Sequence, residues 1–342
     1  MGDIARIAVA IAVGAAGGTL FYALSLPLPW MLGALTATMM ASLAGLRMQG
    51  PVRIRAAVVA VIGVLLGANF TPDLLSHALD WAVSLVLLAV YLLASILLVM
   101  PWYQRVGGFD AVTAYFAGMP GGLSEMIELG EAAGADVPRI ILAQSLRIVT
   151  TIALIAIWFR WVQGYDVGRN AVQGGFADIS WTDLGLLAVA ALLGSWLGLR
   201  LRLPAPTLLG PMIVSAALHL TDLTRSAPPV EIVIAAQVIL GTVLGCRFQG
   251  LRASALVPAV GLSLGATLII LSLALGFALV IEAATGQSAE QVLLAYAPGG
   301  LTEMSLIAIA LHAEVAFVAL HHVVRILLVI LAAPLAFRRW KG

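Results

Sequence analysis

Two stretches of this chain read Met119-Pro120-Gly121-Gly122-Leu123-Ser124-Glu125-Met126 and Ala297-Pro298-Gly299-Gly300-Leu301-Thr302-Glu303-Met304. Six of the eight positions are identical, and Ser124 and Thr302 both carry a hydroxyl group. The offset is 178 residues, and at this offset Arg147 falls on Arg325. At an offset of 177 residues, Leu26-Pro27-Leu28-Pro29 aligns with Leu203-Pro204-Ala205-Pro206. The sequence therefore predicts a tandem duplication of one unit.

The composition around these motifs indicates an all-α polytopic membrane protein. Hydrophobic residues make up 62% of the 342 residues, charged residues make up 10%, and the mean hydropathy is +1.06. Soluble domains are nearer to about 45–50% apolar and about 25% charged. The net charge of +1 gives no indication of a nucleic-acid partner, and the single cysteine, Cys246, excludes an internal disulfide and a multi-cysteine metal site.

Apolar segments divide the chain into two similar halves. Those of the first half cover about 4–24, 28–46, 54–69, 79–100 and 137–161, and their counterparts cover about 182–200, 205–222, 231–248, 256–281 and 315–337. A polar, glycine-containing linker at about 162–181 separates the halves. We therefore predict a first transmembrane repeat over 1–165 and a second over 166–342, which together form one membrane domain.

The Pro-Gly-Gly segments determine how the repeats cross the membrane. Proline lacks a backbone donor and glycine favours non-helical backbone, so each segment interrupts a helix and must be buried in protein or line a cavity. A broken spanning helix would give six crossings in each repeat and parallel repeats, whereas a re-entrant hairpin would give five crossings and inverted repeats. The distribution of Lys and Arg favours the inverted arrangement by a small margin, and both arrangements place the N- and C-termini in the cytoplasm.

Charged residues beside these breaks are the candidate site. Glu125 and Glu303 each lie in the first turn after the glycines, where a carboxylate either caps the helix or takes part in coupling to a proton or cation. Arg147 and Arg325 lie midway along the last apolar segment of each repeat. Each arginine needs a partner, which is either the glutamate of its own repeat in a structural ion pair or a bound anion.

Helix starts at the two breaks would present free backbone amides to a small anion such as a carboxylate. The repeats differ because Gln144 in the first corresponds to His322 in the second, one turn before Arg325, where either core packing or a proton relay suits a histidine. The predicted substrate- and ion-binding residues are Pro120, Gly121, Gly122, Ser124, Glu125, Arg147, Pro298, Gly299, Gly300, Thr302, Glu303, His322 and Arg325.

Two Pro-Gly-Gly-Leu-[Ser/Thr]-Glu-Met units, each followed by an apolar helix with an arginine, resemble the AbrB duplication membrane family over nearly the whole chain. Members of this family are often labelled ammonia monooxygenase or membrane regulator AbrB. The family is similar to the wider group of cation/proton antiporters, bile-acid symporters and citrate carriers, whose folds use inverted repeats with broken helices or re-entrant hairpins. The resemblance implies a transporter in a bacterial inner (plasma) membrane and does not specify a substrate.

The monooxygenase label disagrees with the residues present. Such an enzyme needs copper or iron, and the five histidines do not form a clear set with carboxylates at metal-binding spacing. We therefore expect no enzyme activity, no cofactor and no metal site.

Two functions remain open from the sequence. The first is a secondary transporter of a small anionic or polar metabolite, coupled to H⁺ or Na⁺, that works by alternating access around the paired breaks. The second is a membrane-embedded ligand sensor that regulates gene expression, although the sequence has no recognisable DNA-binding device. The expected partners are the substrate, the coupling ion, the lipid bilayer and a second copy in a homodimer.

Overall fold

The computed structural model describes residues 2–70, 81–165, 174–250 and 253–341, and within these ranges the chain is helical and has no strand. Helices of the first half are α1 (Asp3–Ala23), α2 (Pro29–Leu43), α3 (Arg55–Gly67), α4 (Ala82–Arg105), α5 (Ala111–Gly118), α6 (Leu123–Ala132) and α7 (Val137–Ile157). Those of the second half are α8 (Trp181–Arg200), α9 (Pro206–Leu220), α10 (Val230–Gly245), α11 (Ala253–Thr285), α12 (Ala289–Tyr296), α13 (Leu301–Ala310) and α14 (Val315–Lys341).

Seven helices in the described ranges are long and apolar enough to cross a membrane. They cover Asp3–Ala23, Ala82–Arg105, Val137–Val162, Trp181–Arg200, Val230–Phe248, Val257–Thr285 and Val315–Ala332. This set confirms the prediction of an all-helical integral membrane protein. Part of the predicted linker, residues 166–173, lies outside the described residues.

Helices α2 and α9 are shorter than the apolar segments that predicted them, with 15 residues each. Both begin at a proline that follows a residue in the left-handed region, Leu28 with φ 44° and Ala205 with φ 47°. Proline suits the first helical position because no helical hydrogen bond is lost there. Gly45, with φ 85°, follows the end of α2, so hydropathy overestimated the length of this helix.

One compact unit contains α1, α2, α3, α8, α9 and α10, together with Ser305–Ala316. Within it α1 packs on α2 and α8 packs on α9. The other large helix contacts in this unit join the two halves of the chain: α3 packs on α9, and α10 packs on α2. The two halves therefore share this unit, to which each contributes three helices.

Glycines allow the helices of this unit to approach closely. A side chain at Gly17 would collide with the carbonyl oxygen of Gly33, and one at Gly194 would collide with the backbone of Gly210. The same relation holds between the halves, where a side chain at Gly63 would meet the carbonyl oxygen of Leu208. A side chain at Gly241 would likewise meet the carbonyl oxygen of Met31. Each pair of contacts recurs at the 177- or 178-residue offset of the sequence.

The other compact unit contains α4, α5, α6, α11 and α12 with most of α7 and α14. Hydrogen bonds join its long helices, since Trp102 Nε1 donates to Leu262 O at 2.9 Å and the hydroxyls of Thr150 and Thr267 lie 2.8 Å apart. The four helices at the breaks, α5, α6, α12 and α13, have 8, 10, 8 and 10 residues. At a rise of about 1.5 Å per residue, each is too short to cross the bilayer alone.

Candidate functional site

The two Pro-Gly-Gly segments separate short helices, as the sequence predicted. Helix α5 ends at Gly118, Met119 is extended with ψ 125°, and α6 begins at Leu123. In the second half α12 ends at Tyr296 and α13 begins at Leu301. Four residues that belong to neither helix therefore lie at each break, and the carbonyl groups on either side of the proline need partners from outside the helices.

The first helix of each pair starts at a side-chain cap in the corresponding position. Asp110 accepts hydrogen bonds from the backbone amides of Val112 and Thr113, both at 3.0 Å, at the start of α5. Ser288 accepts one from Gln291 N at 3.4 Å at the start of α12. Partial desolvation would raise the pKa of Asp110, but the hydrogen bonds from Thr113 and Val112 outweigh it and hold the pKa below its ordinary value.

Each candidate glutamate folds back over the start of its own helix. A carboxylate oxygen of Glu125 occupies the space that a side chain at Gly122 would take, and Glu303 occupies the same space at Gly300. A glutamate at this third helical position is typical of a capping interaction with the first turn. The second glycine of each motif leaves open the space that the carboxylate three residues later occupies. Thr302 is half-buried, and the side chain of Ser124 lies outside what the structure describes.

Both candidate arginines are buried and hold the breaks through main-chain oxygens. Arg147 is 3% exposed, and its guanidinium donates to Met119 O at 2.9 Å and to Gly121 O at 3.5 Å. Arg325 is 5% exposed and donates to Ala297 O and, at 3.0 Å, to Gly299 O. These pairs of acceptors flank the proline in each motif. The guanidinium groups thus satisfy carbonyls that the breaks leave without helical partners.

For Arg147, hydrogen bonds to main-chain carbonyls replace the ion pair with Glu125 that the sequence left open. Among the described residues Arg147 forms no ion pair, and the Glu125 carboxylate lies over Gly122 at the start of α6. The amides and helix dipole at that position stabilise the carboxylate without the arginine. Carbonyl dipoles therefore stabilise the charge of Arg147, but they do not neutralise it as a carboxylate would.

The two guanidinium groups leave donors unused at the centre of this unit. The Nε atoms of Arg147 and Arg325 are buried and have no hydrogen-bond partner. The charge of Arg147 acts on Arg325, and Tyr91 interacts electrostatically with both arginines. Buried donors in native proteins are normally bonded, so two unused cationic donors within one compact unit favour a site for an anion.

Residues one turn before the arginines show how the halves differ. Gln144 Nε2 donates to Phe116 O at 2.8 Å and to Met119 O at 3.0 Å, and its Oε1 has no partner. His322 Nδ1 bonds Val318 O at 3.0 Å, which requires a proton on that nitrogen. Its Nε2 is then a buried acceptor without a partner. Both halves therefore offer one unused acceptor beside one unused donor.

Sequence reasoning missed a chain of polar contacts across the same unit. Tyr91 OH donates to Tyr296 O at 2.9 Å, and the rings of Tyr91 and Tyr296 lie 4.9 Å apart. Tyr296 OH donates to Ser84 O, and the Ser84 hydroxyl lies 2.8 Å from His321 Nε2. A tyrosine in an apolar helix carries no signal that separates such a role from core packing. Within the described ranges, no group of three or more His, Cys, Asp and Glu residues is placed so that it could hold a metal ion.

Comparisons with known proteins find the same family that the Pro-Gly-Gly motifs resemble. Residues 30–341 match the family model described as Transition state regulatory protein AbrB. A protein of Escherichia coli (strain K12) named "Putative regulator AbrB" is 27% identical over 322 residues, covering 92% of this chain and 90% of that protein. A protein of Bacillus subtilis (strain 168) named "Uncharacterized protein YhjN" is 25% identical over 355 residues, covering 96% of this chain and 91% of that protein.

Proposed function

The chain belongs to the AbrB family, and from this premise we propose that it is a secondary transporter of a small anionic or polar metabolite. The observation that carries the proposal is the pair of buried arginines with unused Nε donors beside two helix breaks. Two buried cations that lack full neutralisation are costly in a membrane protein. A substrate anion that bound between them would supply the missing charge and hydrogen bonds.

The same proposal includes inverted repeats with re-entrant hairpins. In the described ranges five longer helices precede the linker and five follow it, while the short pairs α5–α6 and α12–α13 leave the number of crossings unchanged if each pair re-enters. An odd number of crossings in each repeat inverts the second repeat relative to the first. The contacts of α3 with α9 and of α10 with α2 support a two-fold relation between the repeats.

Coupling to H⁺ or Na⁺ is assigned in this proposal to the two glutamates. Each carboxylate occupies the start of a half-helix, where free amides would otherwise be available to an anion. When a proton or cation neutralises the glutamate, its hold on the first turn weakens and the amides become available to the substrate. Binding of the cation and binding of the anion would then favour each other, as symport requires.

Reconstitution in proteoliposomes tests this function. Uptake of small carboxylates and amino acids is measured under imposed H⁺ and Na⁺ gradients, with wild-type protein and a Glu125→Gln/Glu303→Gln double variant. The matched control is Glu128→Gln, which removes an exposed carboxylate from the same helix. We expect gradient-driven uptake in wild type and in the control, and none in the double variant. Gradient-driven uptake that persists in the double variant would limit the glutamates to helix capping.

A membrane-embedded sensor is the second candidate, because the family model and one relative carry names that describe regulators. In a sensor the arginine site would bind the ligand without moving it across the membrane. Saturable ligand binding without net flux of any solute in the panel would favour the sensor over the transporter.

A further inference from the structure

A groove of about 390 Å³ runs along the surface of the unit that contains α3 and α8. Its walls are α3, α8 and the start of α10, and the small side chains of Ala60 and Ala188 leave the space between them open. Leu192 on its rim is 74% exposed, so the groove opens on the side of α8 that faces away from the protein. Since α8 is one of the helices long enough to cross a membrane, this side meets lipid.

The interior of the groove is apolar. The one polar side chain on its described walls is Ser195, and its hydroxyl already donates to Ala191 O at 2.6 Å. From Leu184 to Ser195, the wall formed by α8 is about 16 Å long at a rise of about 1.5 Å per residue. The part of a ligand that fills this space is therefore a hydrocarbon chain, because a polar group buried there would have no partner.

The two long walls of the groove run in opposite directions. A side chain at Gly63 would meet Leu208 O and one at Gly67 would meet Met212 O, so α3 runs parallel to α9. Helix α8 packs on α9 and is joined to it by residues 201–205 alone, so these two helices are antiparallel. The end of the groove at which α3 begins is therefore the end at which α8 finishes.

This end of the groove is basic. Helix α3 begins at Arg55 and α8 ends at Arg200, and Arg53 and Arg202 lie next to these helix ends. All four side chains are exposed, and among the described residues none of them forms an ion pair. Arg53 lies about one helical turn before Ala57, which lines the groove. Arginine side chains at a membrane interface are well placed to bind the phosphate of a lipid headgroup.

The opposite end of the groove is acidic. Asp183 lies in the first turn of α8 and Glu231 in the first turn of α10. The Thr224 hydroxyl donates to Asp183 Oδ1 at 2.7 Å and so connects the segment before α10 to the start of α8. Carboxylates at this end repel a phosphate group, whereas guanidinium groups at the other end attract it. The charges therefore fix the orientation of an anion with a hydrocarbon chain in the groove.

The corresponding place between α10 and α1 leaves less space. At the 177-residue offset Ala191 aligns with Gly14, and the Thr242 hydroxyl occupies the space that a side chain at Gly14 would take. At the 178-residue offset Ala60 aligns with the larger Val238. We therefore expect one groove of this kind in each chain.

We propose that this groove binds one acyl chain of an anionic phospholipid, whose phosphate group lies beside Arg53 and Arg202. The apolar walls select the chain, and the charges at the two ends select the headgroup and the side of the membrane from which the lipid enters. The site lies in the unit without Arg147 and Arg325, so the inference goes beyond the transport function and does not depend on it.

Native mass spectrometry of the purified full chain, delipidated in detergent and titrated with dioleoyl lipids, tests the charge of the headgroup. We expect one retained phosphatidylglycerol per chain, bound at least about tenfold more tightly than phosphatidylcholine, which has the same chains and no net charge. Arg53→Gln/Arg202→Gln should reduce this preference to less than about twofold. Arg105→Gln, at an exposed arginine that ends α4 in the other unit, is the control and should retain the full preference.

A second variant tests the groove itself. Ala188→Phe places a ring in the space of the acyl chain and should weaken retention of phosphatidylglycerol at least about tenfold. Val189→Phe adds the same side chain at the next residue of α8, which is 52% exposed and lies outside the groove, and should leave retention unchanged.

Equal affinity of the wild type for the two lipids, or an unchanged preference in Arg53→Gln/Arg202→Gln, would overturn the assignment even if Ala188→Phe fails to fold. A folded Ala188→Phe variant that retains phosphatidylglycerol as the wild type does would also overturn it. A wild-type dimer that holds no lipid and dissociates in Ala188→Phe would identify a second copy as the occupant instead. Because none of these measurements involves flux, they are independent of the uptake assay.

Discussion

At the scale of single residues, the arginines hold the breaks through carbonyl oxygens. Arg147 bridges oxygens on both sides of Pro120, so one planar side chain fixes the direction in which the chain leaves α5. Arg325 does the same around Pro298. A guanidinium group suits this role because its donors spread in a fixed plane, whereas an ammonium group is a point charge.

Replacing Arg147 with lysine should therefore destabilise the protein although the charge is kept. Lysine cannot reach both Met119 O and Gly121 O, and because Met119 O also accepts from Gln144 Nε2, the carbonyl that loses its donor is Gly121 O. We expect a loss of about 2 kcal/mol in the free energy of unfolding, measured by denaturant or thermal unfolding in detergent. Arg225→Lys, at an exposed ion pair with Asp222, is the control and should leave the stability unchanged.

Gly122→Ala should separate the position of Glu125 from its charge. The new methyl group takes the space of the carboxylate oxygen, so Glu125 must turn away from the start of α6. We expect loss of cation-driven uptake together with a stability loss of about 1 kcal/mol, as for a lost helix cap. Gly276→Ala, where no atom lies within 4 Å of the added carbon, should retain uptake. Uptake at the wild-type rate in Gly122→Ala would contradict a coupling role for the folded-back carboxylate.

The sequence could identify these residues but could not determine their partners. Charge in an apolar helix marked Arg147 and Glu125, because such residues are rare in membranes. Their separation of 22 residues was compatible with an ion pair. The structure instead gives Arg147 nearer partners in backbone carbonyls and places the Glu125 carboxylate over Gly122, and backbone groups leave no trace in a sequence.

At the scale of helices, proline and glycine predicted the breaks well because they act through local backbone geometry. The lengths of α2 and α9 were predicted less well. Apolar composition continues past the end of α2 through Ala44, Gly45 and Leu46, and hydropathy cannot tell apolar helix from apolar loop. The caps Asp110 and Ser288 start the half-helices at corresponding positions, so these helices have defined first residues.

The cap of α5 should give the protein a measurable dependence on pH. The pKa of Asp110 is lowered in the folded state, so the ionised cap adds stability above the ordinary aspartate pKa, and this stability is lost as pH falls through the lowered value. An asparagine side chain at this position would still accept the amide hydrogen bonds without ionising. We expect the unfolding temperature of Asp110→Asn to fall less than that of wild type between pH 7 and roughly pH 3. Parallel pH profiles for the two proteins would contradict this role.

At the scale of the whole molecule, the two halves of the sequence share their compact units. Hydropathy identified the helices and the offset identified corresponding positions, but neither indicates which helices pack together. The contacts of α3 with α9 and of α10 with α2 depend on glycines such as Gly63 and Gly241, whose partners are more than a hundred residues away. Glycine pairs in apolar segments favour close packing without specifying the partner.

Separate halves of the chain should not fold alone. Residues 1–165 produced without 166–342 would expose the faces of α2 and α3 that pack on α10 and α9. We expect each half alone to aggregate in size-exclusion chromatography, and the two halves produced together to co-elute as one complex. A monodisperse, thermally stable single half would show that the contacts between the halves are dispensable.

This exchange of helices also constrains how the gene arose. One half alone could bury the glycine faces of its second and third helices only against a second polypeptide, so the duplication that the sequence predicts would start from two copies that pair. Joining the copies in one chain would free them from having to be identical. His322 opposite Gln144 is a difference between the halves that two identical copies of one gene product could not carry.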